Sequence, residues 1–188
     1  GAMARERHLE FDKSIEKRTP LLHEAVPFIA HPQIRNRGTI GGSIVHADPA
    51  AELPMLMVAL SAKLKAKNRS GERWMDAKEF FAGMFTTALE PDEILVEIEI
   101  PFMPPRTGWS FMEVAPRSGD YAMMGVAALV TLDKNGKCES AKLVYLNAGD
   151  GPVDAVEAAK SLVGEKLNDT LIESAAEHAS EKEINPFG

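Results

Sequence analysis

The chain has 188 residues, of which 45% are hydrophobic and 26% are charged, and its formal net charge at pH 7 is −7. Such a chain can bury a sizeable core and hold one or two globular domains. The acidic balance argues against a nucleic-acid partner, which would favour a basic surface, and no apolar run approaches the ~20 residues that cross a membrane.

The first predicted helix follows Thr19-Pro20 and runs through the apolar positions of residues 21–29. A threonine cap followed by proline at the first helical position is a typical helix start. Further along, the segment from Glu52 to about Ala62 is strongly apolar and predicts a second helix.

Between these helices lies a glycine-rich segment, Arg-Gly-Thr-Ile-Gly-Gly-Ser, at residues 37–43. Glycine lets a ligand approach the main chain closely, and consecutive N–H groups in such a turn form an anion-binding concavity. Glu52, nine residues past Ser43, can accept hydrogen bonds from ligand hydroxyls. The pattern suits a nucleotide with phosphate and sugar hydroxyls, although a plain tight turn between a helix and a strand explains the glycines equally well.

The spacing excludes the commoner nucleotide-binding loops. No Lys-Ser or Lys-Thr pair follows the second glycine, as a P-loop requires, and the order Gly-x-x-Gly-Gly differs from the dinucleotide fingerprint. Arg35 and Arg37 beside the glycines could neutralise phosphate or pair with acidic neighbours. No histidine pair has metal-binding spacing, so no metal site is expected.

Cys138 is the only cysteine, so it can form no internal disulfide and cannot supply the ligands of an iron–sulfur cluster. Its polar surroundings favour an incidental turn residue over a nucleophile. The lack of disulfides favours a reducing, cytoplasmic compartment.

After the second helix, Leu64–Lys67 alternates and leads into Asn68–Gly71, which predicts a β-hairpin. Residues 93–100 alternate with a period of two and predict a half-buried strand. It ends at Pro101–Pro105, the clearest linker in the sequence, where we place a domain boundary. Three phenylalanines before that strand are predicted to be core residues rather than cofactor contacts: Phe80, Phe81 and Phe85.

Beyond the linker the pattern predicts three strands and then two helices. The strands cover residues 109–114, 122–133 and 141–148, and Lys134-Asn135-Gly136 is a strong hairpin signal. The helices, over residues 154–163 and 170–182, carry apolar residues at i, i+3 and i+4. This order of elements packs as a sheet with helices on one face.

A longer string around the glycines resembles a known family. Residues 31–43, Ala47–Pro54 and Arg117–Ala122 resemble the flavin-binding medium subunit of the molybdenum hydroxylases, which include bacterial carbon monoxide dehydrogenase and xanthine dehydrogenase. The resemblance covers nearly the whole chain. It implies an α+β fold, in which residues 1–103 form the second part of a two-part FAD-binding domain. Residues 104–188 would form a small antiparallel sheet domain with C-terminal helices.

The resemblance also implies which residues bind FAD. The family's Thr-Ile-Gly-Gly-Ser motif forms one wall of the FAD site, a role carried to Thr39, Ile40, Gly41, Gly42 and Ser43. Glu52 falls where the family has an acidic residue that hydrogen-bonds the cofactor, so it is preferred over Asp48, which precedes Pro49 and is expected to be a turn residue.

Two apolar or aromatic positions complete this expected site. Leu95 matches a position that touches the cofactor, and it is equally well explained as a strand core residue. Tyr121 follows a predicted loop, residues 117–120, that lies against the flavin ring in relatives, where an aromatic side chain can cover one face of the ring.

By resemblance, the chain is an oxidoreductase subunit that takes part in electron transfer. A large subunit with a molybdenum cofactor would oxidise the substrate, and a small subunit with [2Fe–2S] clusters would relay electrons. FAD on this chain would pass them to NAD, a quinone or oxygen. No general acid or base is needed, so no catalytic residue is expected here. The alternative, from a different class, is a non-catalytic assembly module that docks in such a complex without flavin.

The family carries a further segment with an Ala-Gly-Gly-x-Ser motif that these 188 residues do not contain. It should supply the opposite wall of the diphosphate site. We therefore expect the chain alone to bind FAD far more weakly than full-length relatives, unless a separate chain supplies that segment. Gly1-Ala2-Met3 matches a native strand end of the family, with a protease scar as the alternative, so the chain is expected to start within the flavin domain.

Overall fold

A computed structural model describes residues 1–186 of the chain. Within these residues the helices are α1 (Glu6–Phe11), α2 (Lys13–Arg18), α3 (Pro20–Ala25), α4 (Pro32–Arg35), α5 (Ile40–His46), α6 (Glu52–Ala59), α7 (Ala77–Phe80), α8 (Val156–Leu162) and α9 (Asp169–His178). The strands are β1 (Lys63–Lys67), β2 (Glu72–Asp76), β3 (Phe81–Gly83), β4 (Thr86–Thr87), β5 (Ile94–Glu99), β6 (Thr107–Val114), β7 (Met124–Leu132), β8 (Cys138–Leu146) and β9 (Val153–Asp154). Short 3₁₀ and π segments follow α3 and α9.

The strands form three antiparallel sheets, ordered β2-β1-β5, β3-β4 and β6-β7-β8-β9. Both predicted hairpins are confirmed, and in each turn a side-chain oxygen accepts hydrogen bonds from backbone N–H groups. Asn68 Oδ1 accepts hydrogen bonds from the N–H groups of the β1–β2 turn at 2.9 and 3.0 Å. Asp133 Oδ1 does the same in the β7–β8 turn at 2.7 and 2.9 Å. Short polar side chains at the first position of a turn commonly act in this way.

The helix α6 lies at the centre of the molecule, since every one of its residues is buried. A helix that is apolar on all sides belongs in a core. It contacts α5 and α7 from the first half of the chain and β7, β8 and β9 from the second half. Phe111, Ala127, Val144 and Leu146 of the four-stranded sheet belong to the same buried cluster as the side chains of α3, α5 and α6. One hydrophobic core therefore spans both halves.

The opposite face of the four-stranded sheet carries α8 and α9. Side chains alternate between faces along a strand, so Leu143 and Tyr145 point away from the central core and pack on Ala155, Ala158 and Ala179. A second small cluster surrounds Cys138 between this face and the two helices. The prediction of helices on one face is confirmed, while the covering of the other face by α6 was not predicted.

Three local predictions from the sequence are wrong. Cys138 begins β8 and is buried, rather than lying in a polar turn. Phe85 is 54% exposed and packs beside His46 instead of in the core. The segment predicted to start a helix at Asp154 first forms β9, because it pairs with β8.

The predicted start of α3 is confirmed, with Thr19 at the N-cap and Pro20 as the first helical residue. The hydroxyl of Thr19, however, donates to the carbonyl of Ile15 in the preceding helix and makes no hydrogen bond to α3.

The segment Pro101–Pro105 is irregular, as predicted, and connects β5 to β6. It is held on α2, because the N–H of Met103 donates to the carbonyl of Arg18 at 3.0 Å and the Arg18 guanidinium lies 4.4 Å from the ring centre of Phe102. The division into residues 1–103 and 104–188 stays a prediction, and the last two of those residues lie outside the described part. No helix within residues 1–186 is long and apolar enough to cross a membrane.

Candidate functional site

The glycine-rich segment forms the first turn of a helix rather than an open turn. Thr39 is the N-cap of α5, and its Oγ1 accepts a hydrogen bond from the N–H of Gly42 at 3.1 Å. The N–H groups of Ile40 and Gly41 donate to carbonyls of residues 4 and 2 at 3.0 and 2.8 Å, and that of Ser43 donates within the helix at 3.1 Å. The prediction that this turn presents free N–H groups to an anion is therefore wrong, because each of these four N–H groups already has a hydrogen-bond partner.

Gly41 is explained by a close approach between two stretches of backbone. A Cβ at this position would lie 2.6 Å from the Cβ of Ala2 and 2.7 Å from its carbonyl oxygen. Ala2 in turn donates its N–H to the carbonyl of Val96 on β5 at 3.0 Å. The neighbouring Leu95 pairs with Ala66 on β1 and packs on the core. Gly41 and Leu95 thus both serve the packing of α5 and β5.

Beside α5 lies an open cavity of about 560 Å³, a volume typical of small-molecule sites (~300–1,000 Å³). Five predicted site residues lie in its lining, namely Thr39, Gly42, Ser43, Glu52 and Tyr121. Three predicted site residues do not, namely Ile40, Gly41 and Leu95. The remaining lining comes from α1, from residues 29–38, and from residues close to Glu52 and Tyr121. Three stretches that are distant in sequence, at residues 6, 29–52 and 119–121, therefore meet at one cavity.

Glu52, the first residue of α6, supplies a buried carboxyl group to this cavity, with 8% of its surface exposed. Burial raises the pKa of Glu52 to about 7; its own backbone N–H opposes the rise, and the charges of Glu113, Glu6 and Asp48 add to it. A carboxyl with such a pKa exchanges a proton near neutral pH. Asp48 is a turn residue as predicted, since its Oδ1 accepts a hydrogen bond from the N–H of Ala50 at 2.9 Å, and it also lines the cavity.

Glu6 on α1 is a lining residue that the sequence interpretation missed. Only 4% of it is exposed, and its Oε2 has no hydrogen-bond partner among the described residues. Burial raises the pKa of Glu6, against the opposing charge of Arg35. A signal was available, because Glu6 lies three residues before the buried Leu9 and so shares the inward face of α1.

Arg35 is buried and pairs with an acid, as one of its two alternative roles predicted. Its guanidinium contacts both carboxylate oxygens of Glu10, with Nε–Oε2 at 3.0 Å and Nη2–Oε1 at 3.4 Å. Its Nη1 donates to the carbonyls of Ile29 at 2.8 Å and Pro27 at 3.2 Å. Arg35 thereby fixes the backbone of a lining segment, while Arg37 stays exposed in the lining itself.

Tyr121 lies at the rim of the cavity with 77% of its surface exposed. Asn147 fixes the backbone that follows it, because Nδ2 donates to the carbonyl of Ala122 at 3.0 Å. The N–H of Asn147 donates to the carbonyl of Pro49 at 2.7 Å. One asparagine therefore ties the Tyr121 loop of the second half to the segment that precedes Glu52.

Within residues 1–186, no group of three or more His, Cys, Asp or Glu side chains is arranged to hold a metal ion. The lining of the cavity offers hydrogen-bonding groups, an aromatic ring and the exposed cation Arg37. Hydroxyls come from Thr39 and Ser43, carboxyls from Glu6 and Glu52, and an aromatic ring from Tyr121.

Comparisons with known families divide the sequence into two matched stretches. Residues 1–103 match the FAD binding domain in molybdopterin dehydrogenase, and residues 109–187 match the CO dehydrogenase flavoprotein C-terminal domain.

Individual relatives match the whole chain. The 6-hydroxypseudooxynicotine dehydrogenase complex subunit alpha of Paenarthrobacter nicotinovorans is 42% identical over 99% of this chain and 62% of its own length. Carbon monoxide dehydrogenase from Hydrogenophaga pseudoflava has a similar solved structure, with a TM-score of 0.95 and 34% identity. Quinoline 2-oxidoreductase from Pseudomonas putida 86 gives a TM-score of 0.92 and 36% identity. Each structural match covers 100% of this chain and 65% of the other, so the chain spans less than two thirds of these relatives.

Proposed function

Because this chain belongs to the family of FAD-binding medium subunits of the molybdenum hydroxylases, we propose that its cavity holds FAD for electron transfer in a multi-subunit oxidoreductase. When bound, FAD supplies chemistry that accepts electrons singly or in pairs and passes them on. The chain's own task is to bind, orient and shield that group.

The observation that carries this proposal is the convergence of distant residues on one cavity. It is lined by Thr39 at the N-cap of α5, Ser43 of α5, Glu52 of α6 and Tyr121 of the second half. The lining also fits a flavin nucleotide in chemical terms. It combines hydroxyl groups and apolar side chains with buried carboxyls, one of which has an oxygen without a partner among the described residues. Buried acceptors of this kind call for a ligand with hydrogen-bond donors.

Each lining residue has a distinct proposed role. The Thr39 hydroxyl already accepts the Gly42 N–H, so its own hydrogen is free to donate to a ligand oxygen, as is the hydroxyl of Ser43. Glu52 would accept a hydrogen bond from a hydroxyl or imide group, and Tyr121 would cover an exposed face of the flavin ring. Ile40, Gly41 and Leu95 would act through the packing of α5 and β5 rather than by lining the cavity.

The partners and the external acceptor are part of the proposal. We propose that a large subunit with a molybdenum cofactor and a small subunit with [2Fe–2S] clusters deliver electrons to this chain, and that NAD, a quinone or oxygen removes them. The alternative of a scaffold module without flavin finds no support in the comparisons. We also propose that residues 1–103 and 104–188 are separate domains, which limited proteolysis would test by early cleavage near Pro101–Pro105 or in the 117–120 loop.

The test of the flavin role is an FAD titration followed by quenching of flavin fluorescence. The chain is titrated alone and after addition of the Ala-Gly-Gly-x-Ser segment of a relative. We expect saturable binding that the added segment strengthens. Ser43→Ala and Glu52→Gln should each weaken it, while Ser70→Ala in the exposed β1–β2 turn serves as the control. No saturable binding in either setting would exclude the flavin role, and submicromolar binding by the chain alone would show that the segment is dispensable.

A further inference from the structure

Glu6 is a buried acid, and one oxygen of its carboxyl group has no hydrogen-bond partner among the described residues. It is 4% exposed, it lines the cavity, and its Oε2 accepts no hydrogen bond from any described residue. A buried acceptor without a donor is costly, so such groups in native proteins call for an explanation. The backbone of Glu6 is nevertheless fixed, since its N–H donates to the carbonyl of Gly38 at 3.2 Å.

The position of the Glu6 carboxyl depends on a glycine in the conspicuous motif. A Cβ on Gly38 would come within 2.5 Å of Oε2 and 2.9 Å of Oε1. Any larger residue at position 38 would push this carboxyl out of its place. Gly38 therefore keeps room for an acid at the cavity wall, a role different from that of Gly41.

Arg35, whose charge acts on Glu6, makes no hydrogen bond to it among the described residues. The Arg35 guanidinium donates its hydrogen bonds to Glu10 and to carbonyls of the preceding loop. The cavity lining also holds an exposed cation, Arg37, and a second buried acid, Glu52, on which the charge of Glu6 acts. Two buried carboxyls whose charges act on each other disfavour an anionic ligand group, such as a phosphate, beside them. They favour a neutral group that donates hydrogen bonds.

We propose that Glu6 is a further cofactor-binding residue, whose carboxylate accepts a hydrogen bond from a neutral donor of the bound flavin nucleotide. The donor is a sugar or ribityl hydroxyl or the imide N–H of the ring, and the diphosphate does not contact the Glu6 carboxylate. This inference rests on the proposed flavin function. It adds an acid on α1 to the expected site.

A binding role and a structural role for Glu6 predict opposite effects of the same substitution. If the role of the Glu6 carboxylate is to bind a ligand, Glu6→Gln removes an unpaired buried charge from the ligand-free protein. The stability of the ligand-free protein then stays equal or rises. It also weakens FAD binding, by roughly 10- to 100-fold, because a charge-assisted hydrogen bond is lost. If Glu6 had a purely structural role, Glu6→Gln would instead lower the stability of the protein and leave the FAD affinity of the folded fraction unchanged.

The experiment measures FAD affinity and thermal midpoint side by side for the wild type, Glu6→Gln and Glu79→Gln. Glu79 is the control for the same change of side chain, because it is exposed on α7 and lies outside the lining of the cavity. We expect weaker FAD binding only for Glu6→Gln, with a thermal midpoint that does not fall. Unchanged affinity in Glu6→Gln would overturn the proposal, as would an equal loss in Glu79→Gln.

Two fragments of FAD locate the donor. Weaker binding of riboflavin but not of ADP to Glu6→Gln would place the donor in the ribityl or imide half, and the converse would place it on the ribose. If the wild type itself fails to bind FAD, with or without the added segment, the proposed function fails. If the wild type binds FAD and Glu6→Gln binds equally well, only the inference about Glu6 fails.

Discussion

Two neighbouring regions of this protein are built around acidic side chains, and these acids have different kinds of partners. Around Arg35, the carboxylate of Glu10 meets a guanidinium that also holds the loop carbonyls. At the cavity, the charges of Glu6 and Glu52 act on each other, and neither acid has a basic partner in contact among residues 1–186. Glu6 and Glu10 lie one turn apart on α1, so the difference arises from their surroundings and not from the helix that carries them.

The pKa values of the two regions diverge accordingly. Burial acts to raise the pKa of Glu10, but the hydrogen bonds and charges of Arg35 and Arg7 outweigh it and the pKa is lowered. Burial raises the pKa of Glu6 and Glu52, and for these groups nothing outweighs it. The first region is complete without a ligand and serves the fold. The second keeps acceptors and protons available, as a binding wall requires.

The largest effect is expected from Arg35→Met, which removes the guanidinium at the centre of the region around Arg35 and Glu10. It leaves the half-buried Glu10 with Arg7 as its remaining described partner and removes the donor of the loop carbonyls. Since each buried acceptor left without a donor costs ~1–3 kcal/mol, the free energy of unfolding should fall by about 3–5 kcal/mol. Chemical denaturation measures this loss. Arg37→Met, at an exposed position on the same segment, should change stability little, and similar losses in both variants would contradict the distinction between the regions.

The pH dependence of stability probes the other region, in which Glu6 and Glu52 line the cavity. The pKa of Glu52 is raised from 4.5 to about 7 in the folded state, so between these values the folded chain holds a proton that the unfolded chain releases. The associated stability is complete below pH 4.5 and is lost as pH rises through about 7, because the unfolded state binds fewer protons there. At ~1.4 kcal/mol per pKa unit, the loss is about 3 kcal/mol.

Denaturation curves collected from pH 4.5 to pH 8 would measure this slope. Glu52→Gln should flatten it and should leave the variant more stable than the wild type above neutral pH. Glu79→Gln, at an exposed position on α7, is the control and should keep the wild-type slope. An unchanged slope in Glu52→Gln would show that its carboxyl is not the titrating group.

The smallest expected effect concerns two adjacent glycines, Gly41 in the packed core and Gly42 in the cavity lining. An added Cβ at Gly41 collides with the backbone of Ala2, while at Gly42 it meets only the Thr39 hydroxyl at 2.8 Å, on a side chain that can move. Gly41→Ala should therefore cost about 1–3 kcal/mol of stability. Gly42→Ala should cost less and should weaken FAD binding by crowding the cavity lining. Equal stability losses, measured by thermal unfolding, would be inconsistent with this division of roles.

Local sequence signals predicted the elements that depend on local chemistry. The hairpins closed by Asn68 and Asp133, the helix after Pro20 and the alternating strand at residues 94–99 all form where expected. In the candidate site, the motif also identified residues that do line the cavity, including Ser43 and Glu52.

What the sequence did not reveal depends on contacts between distant segments. Gly41 resembled a phosphate-binding glycine, yet its N–H and its missing side chain are both explained by Ala2, 39 positions earlier. Glu6 carries no motif, and only the meeting of α1 with Gly38 and α6 makes it a wall of the cavity. Local sequence patterns carry no information about such contacts between distant segments.

The burial of α6 by both halves of the chain has a consequence for how the two halves evolve. Because Glu52 begins this helix in the cavity and Lys142 of β8 donates to the carbonyl of Val58 near its end at 3.0 Å, each half presents a surface shaped for the other. A recombination event that exchanged the C-terminal half alone would replace one side of that fit and leave the helix exposed or overpacked. The two stretches are therefore expected to diverge in step, so that chimaeras joined between β5 and β6 would express poorly unless the residues facing α6 were exchanged along with them.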